Sequence, residues 1–168
     1  MILPILIYNN YTLRKKSENV KIGYNLKKLI NNMFETMYNA NGIGLASSQI
    51  GININLFIID LFKKKKIFIN SKIIKEYGKK KEYKEGCLSF PGINNKNIYR
   101  KSKILLEFYD ENWKKNIKNF KGILARVIQH EYDHINGILF IDFLSKKEKK
   151  EIKNNIKKIN KWEYPIIK

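Results

Sequence analysis

Six apolar residues, Leu26, Leu29, Ile30, Met33, Phe34 and Met37, recur at three- and four-residue spacing across residues 25–40. That period predicts an amphipathic helix with a single apolar stripe. A second helix is predicted over 122–136, "GILARVIQHEYDHIN", with Asn136-Gly137 as its stop signal. Between them the period shortens. "INLFIID" (54–60) and "KKIFIN" (65–70) predict short strands around a charged turn containing Lys63 and Lys64. "KSKILLEFYD" (101–110) predicts another strand, followed by a turn at "DENWKKN". Residues 145–162 open with Ser145 three before Glu148, a capping-box pattern, and carry Ile152, Ile156 and Ile159 on one stripe. Helices placed between and after several short strands predict an α+β domain, with no repeat and no linker dividing residues 1–168.

Composition narrows the class. At 168 residues with 43% apolar side chains, the chain suits one globular domain with a real core. The opening "MILPILIYNN" is too short and lacks the basic leader of a targeting peptide, so it reads as mature protein. No apolar run reaches membrane-spanning length. Cys87 is the single cysteine, which rules out an internal disulfide and fits a reducing cytoplasm. The formal charge of +19 invites a nucleic-acid reading, but 31 Lys stand beside only 3 Arg, 29 Ile and 21 Asn. Those abundant residues share AT-rich codons, and a phosphate-gripping surface would use more of arginine's fork. The charge is read as a solvated basic surface, with no specific nucleic-acid sequence as partner.

Chemistry enters with "IQHEYDHING" (128–137), which holds the only two histidines in the chain, His130 and His134. On a helix successive residues turn by about 100°, so these two imidazoles project from one face, one turn apart. That geometry suits two ligands on one metal ion. Glu131 and Asp133 flank the stripe, each about 80° away. Ile123 and Val127 lie toward Glu131 and Arg126 lies below Asp133. An apolar wall can raise a carboxyl's pKa for proton transfer, whereas a polar flank favours pairing. Glu131 is therefore the candidate general base, and Asp133 a structural group.

A catalytic metal usually has three protein ligands. No third histidine exists, which leaves the carboxylates and Cys87, in "YKEGCLSFPG" (83–92), read as a strand bounded by turns. "NGIGLASSQIG" (41–51) is glycine-rich but is neither a dinucleotide fingerprint nor a phosphate loop. Its Gln49 offers an amide donor for a developing oxyanion.

Together, "GIGLASSQ" (42–49), "EGCLS" (85–89) and "QHEYDH" (129–134) resemble the three motifs of peptide deformylases, with Ser47 where that family usually has alanine. The opening "LPILIYNNYTLRKKS" is similar to the family's N-terminal strand and turn, so the resemblance spans residues 1 to about 145. It implies antiparallel sheets packed around a central metal-bearing helix, flanked by an N-terminal and a C-terminal helix. It implies Cys87, His130 and His134 as ligands of one divalent metal, Fe(II) by family association, with Zn or Ni also suited to the site. A metal-bound water would be the nucleophile, with Glu131 as general base and then acid. Gln49 and the Leu88 backbone N–H would hold the formyl oxygen, and Gly44 would pair with an extended substrate. Ile43, Ile123 and Val127 are expected to wall the methionine side chain. The implied reaction is hydrolysis of the formyl group of N-formylmethionyl nascent polypeptides, releasing formate, in a bacterial cytoplasm. The basic segment at 145–162 is expected to contact the ribosome through phosphate attraction. A metallopeptidase would need only the histidine helix, and a cysteine ligand argues against it. A closed structural metal site would need a fourth Cys or His that the chain lacks.

Overall fold

The structure is a computed structural model that describes residues 1–93 and 96–150. Helix α1, Lys27–Asn39, is followed by strands β1 (Gly44–Ala46), β2 (Leu56–Leu61), β3 (Lys64–Glu85), β4 (Lys96–Tyr109) and β5 (Lys115–Lys121), then helix α2, Gly122–Ile135. Among the described residues the strands form one antiparallel sheet, ordered β1-β2-β3-β4-β5, which with the helices makes the expected α+β domain.

The sheet is covered on both faces. Along β2, Leu56 and Ile58 pack with Ile30, Met33 and Met37 of α1, while Phe57 and Ile59 pack with Ala125, Val127 and Ile128 of α2. All four β2 side chains are fully buried, so the strand reads as a continuous apolar run rather than an alternation. Full burial of each contributes roughly 1.5–3 kcal/mol. Phe57 stacks on Phe68 at 4.8 Å between ring centroids, which fixes the β2–β3 register beneath α2.

Two strands are longer than the apolar pattern predicts. The strand expected at 65–70 continues to Glu85, and the one expected at 101–110 starts at Lys96. Residues 71–85 are lysine-rich and mostly exposed, so no hydrophobic period marks them. Pairing with β4, from Lys72↔Glu107 to Glu85↔Lys96, holds them extended. Register shifts between Ile69 and Lys80 mark bulges in this ribbon. The β2–β3 turn is a two-residue connection in which Phe62 (φ 56°) and Lys63 (φ 60°) both take left-handed backbone.

Helix α2 ends as its sequence indicates. Gly137 adopts φ 71°, and a Cβ there would collide with the Arg14 carbonyl. The N-terminal segment is thereby packed against the end of the histidine helix, and Arg14 forks onto Asp142 at 2.6 and 3.0 Å. At Ser145 the capping box is formed: its N–H reaches Glu148 Oε2 at 2.8 Å, and the Glu148 N–H reaches Ser145 Oγ at 3.2 Å. The Ile152, Ile156, Ile159 stripe expected for a C-terminal helix lies outside the described residues.

Candidate active site

Three elements converge on the histidine face of α2. The end of β3 brings Glu85, the turn after it brings Cys87 and Leu88, and the β1 segment brings Gly44 and Gln49. Cys87 was expected on a strand; it sits in the turn following β3, with Phe90 N–H closing on its carbonyl at 2.9 Å. The Sγ of Cys87 and the ring nitrogens of His130 and His134 offer donor atoms within 4.8 Å of one another. Cys87 Sγ lies 3.2 Å from His134 Nε2.

The surroundings of this triad fit a divalent metal. His134 is buried and its pKa falls well below the ordinary imidazole value, first through burial and then through repulsion by His130. It is thus neutral, as a ligand must be. His130 commits Nδ1 to Glu85 Oε2 at 3.0 Å, which leaves Nε2 for a metal. Burial would lower the His130 pKa, but hydrogen bonds to Cys87 and Glu85 outweigh it and raise it well above the ordinary value. Metal binding at His130 therefore displaces a proton. Three protein donors of S, N and N type suit Fe, Zn or Ni.

Glu131 and Gln49 are set by their neighbours. Glu131 is 4% exposed, and burial raises its pKa to about 7, with no protein partner for Oε2. A carboxyl poised there exchanges protons near neutral pH. It packs on Gly44, where any Cβ would clash with Glu131 Oε1. Gln49 accepts the Ala46 N–H on Oε1 at 2.9 Å, which fixes the amide orientation. Its NH2 then points to Ser89 Oγ (3.1 Å) and Cys87 Sγ (3.6 Å). Backbone bonds from Leu6 N–H to Gln49 O and from Tyr8 N–H to Ser89 O strap both motif loops together. Ser47, the departure from the alanine of the motif, is buried and donates to Ile54 O at 2.7 Å.

Nine of the ten residues singled out in the sequence line one cavity of about 590 Å3: Ile43, Gly44, Gln49, Cys87, Leu88, Ile123, Val127, His130 and Glu131. His134 is buried behind them. Ile43 and Ile123 are partly exposed at the rim, and Val127 is buried deeper.

The sequence reading passed over Glu85. It is buried beneath the triad and accepts from Arg100 Nε (2.7 Å), Arg126 Nη1 (2.7 Å), Arg100 Nη2 (3.0 Å) and His130 Nδ1. Burial would raise its pKa, but the bonds to His130 and Arg100 hold it down at about 2. Asp133 pairs with Arg100 Nη1 at 2.7 Å, so its partner comes from β4 rather than from Arg126 two turns below. All three arginines make carboxylate forks or pairs. In a chain that otherwise uses lysine, each retained arginine was the available signal for a bidentate or buried partner.

Comparison with known proteins agrees with this geometry. The polypeptide deformylase family model matches residues 2–150. A peptide deformylase of Karelsulcia muelleri is 55% identical over 148 residues, covering 84% of this chain and 78% of the relative. One from Christiangramia forsetii is 43% identical, with 96% and 91% covered. The crystal structure of a peptide deformylase from Legionella pneumophila superposes with a TM-score of 0.89 at 36% identity, covering 97% of this chain and 98% of that one. A match of that extent shows that this chain belongs to the polypeptide deformylase family.

Proposed function

We propose that in this deformylase Cys87, His130 and His134 hold one Fe(II), that Glu131 is the proton carrier, and that Gln49 and Leu88 receive the formyl oxygen. The observation carrying the reading is the convergence of the three donor atoms within 4.8 Å beside a buried carboxyl whose pKa is raised to about 7. The family's reaction removes the formyl group from the amino terminus of nascent polypeptides, and the roles follow from what that reaction needs.

A formamide resists water. Cys87, His130 and His134 would hold a divalent cation, which would supply Lewis-acid activation of a water and of the formyl carbonyl. Glu131 takes a proton from that water and returns it to the departing amine as the C–N bond breaks. The water oxygen leaves in formate, and the peptide keeps a free amine. Gln49 Nε2, fixed by the Ala46 bond, and the Leu88 N–H donate to the oxygen as it gains charge. Gly44 sits at the outer end of β1, where an extended peptide adds backbone hydrogen bonds to the sheet edge. Ile43, Ile123 and Val127 enclose the first side chain with apolar surface.

Residues 1–168 are read as one catalytic domain, supported by the family match over 2–150. No helix among the described residues is long and apolar enough to cross a membrane, and the bacterial relatives support a bacterial cytoplasm. The lysine-rich segment at 145–162 supports ribosome contact, which salt-dependent co-sedimentation tests. Fe(II) is tested by metal analysis of protein purified without oxygen. The decisive assay is formate release from a formyl-Met peptide before and after chelation. Loss on chelation and recovery with Fe(II) is expected; chelator-insensitive turnover contradicts the reading.

A further inference from the structure

Beside the catalytic cavity lies a second groove of about 690 Å3, and Tyr83, Ile123 and Arg126 line both. Its other walls come from β3 and β4 (Lys81, Glu82, Lys101, Ser102, Lys103) and from Lys121 and Gly122, where β5 passes into α2. Tyr83 stands over the Arg126 guanidinium at 5.5 Å, so the wall shared by the two spaces is a stacked pair and Ile123.

The groove has a distinct charge. Lys81, Lys103 and Lys121 are exposed around it. Lys101 is half-buried, and its Nζ is turned to the Gly78 carbonyl at 3.4 Å. The one acid on the wall, Glu82, is hydrogen-bonded to Tyr99. Among the described residues the lysine side-chain ion pair is Lys115 with Glu107, which leaves the three exposed ammonium groups here without a carboxylate. The first turn of α2 contains no acid, so its positive end adds to the same field.

We propose that this groove takes acidic side chains of the substrate itself, downstream of the formylated methionine. The proposal rests on the deformylase reading above and adds a substrate preference to it. A peptide whose formyl group lies at Glu131 and whose first side chain meets Ile123 finds the groove on the far side of that isoleucine. Lysine stems and Tyr83 offer apolar contact to the peptide, and the ammonium groups at the rim pair with Asp or Glu. A peptide already held at the catalytic centre reaches those lysines at high effective concentration, so weak pairs suffice. Nucleic acid fits less well. The groove is joined to the catalytic cavity, and its exposed cations are lysines rather than phosphate-matching arginine forks.

The test uses the metal-loaded full chain and two peptides, formyl-Met-Ala-Ala-Ala-Asp-Glu amide and formyl-Met-Ala-Ala-Ala-Ser-Gln amide. Two or three exposed ion pairs predict roughly a three- to tenfold higher kcat/KM for the acidic peptide at low ionic strength. Raising salt to about 0.5 M should abolish the preference. The triple variant Lys81→Gln, Lys103→Gln, Lys121→Gln changes only exposed side chains. It should hydrolyse the neutral peptide as the parent does and lose the preference. Equal kcat/KM for both peptides in the parent, or a preference that survives in the variant, overturns the proposal. Inhibition of the parent but not the variant by oligouridylate, without any acidic-peptide preference, reassigns the groove to nucleic acid and also overturns it. Failure to hydrolyse either peptide counts instead against the catalytic reading.

Discussion

Glu85→Gln is the substitution that best separates a working site from a mere collection of ligands. The carboxylate accepts four charge-assisted bonds in a setting where it is only 8% exposed. Glutamine keeps the shape but has one acceptor oxygen and one NH2. Whichever way it turns, the NH2 faces N–H donors, either Arg100 Nε with Arg126 Nη1 or Arg100 Nη2 with His130 Nδ1. Arg100 would keep Asp133, and Arg126 would keep the carbonyls of Ile98 and Lys81. Breaking a buried pair by removing one partner costs about 3–5 kcal/mol. For a chain of this length that corresponds to a Tm drop of roughly 6–20 °C. His130 would also lose its fixed orientation, weakening metal affinity about 10- to 100-fold. The internal control is Glu107→Gln, which breaks the exposed Lys115 pair and should cost less than about 1 kcal/mol. The assay is thermal unfolding of chelated and metal-loaded protein, with a competition titration for metal. A Glu85→Gln protein melting within about 2 °C of the parent, with unchanged metal affinity, would refute the reasoning.

Three further variants probe the frame around the site. Replacing Phe62 by Asn together with Lys63 by Gly should raise stability by about 1–3 kcal/mol, because both positions take left-handed backbone that Phe and Lys adopt at a cost; an unchanged denaturation midpoint would count against strain in the turn. Gly44→Ala should lower kcat/KM by at least about tenfold with little change in Tm, since its methyl displaces the Glu131 carboxyl rather than a core group; wild-type kinetics would show that Glu131 has room to spare. Burial would raise the pKa of Asp142, but Arg14 and the Leu139 N–H outweigh it and hold it below the usual value. The ionised form is then favoured in the folded state, so its contribution is present above the ordinary carboxylate range and lost as pH falls through the lowered value. Asp142→Asn should therefore flatten the acid limb of the stability–pH curve, and an unaltered limb would argue against the Arg14 fork.

What could be read from the chain alone depended on where one physical term dominated. The α1 stripe and the histidine pair were legible because helical period and metal chemistry each leave a mark at fixed spacing. The reach of β3 was not. Residues 71–85 carry few apolar side chains, and their extended state comes from pairing with β4, a long-range contact without a local signature. Glu85 escaped for a related reason. Its role is set by Arg100, Arg126 and His130, which lie 15, 41 and 45 residues away in sequence. Ile43 lies far along the chain from Ile123 and Val127, which sit one turn apart on α2, and the fold brings all three to one cavity. After Ser145 the described residues show the capping box and a helical run over 146–150, and the rest of the expected helix lies outside the described residues.

The central claim is that Glu131 moves the proton and the metal is held without it. Glu131→Gln keeps the side-chain volume in a buried position and removes only the titratable group. Metal content after dialysis and formate release from a formyl-Met peptide should be measured on the same preparation. The account predicts parental metal stoichiometry with turnover reduced by at least about 10²–10⁴-fold. Turnover close to the parent's, with metal retained, would contradict it.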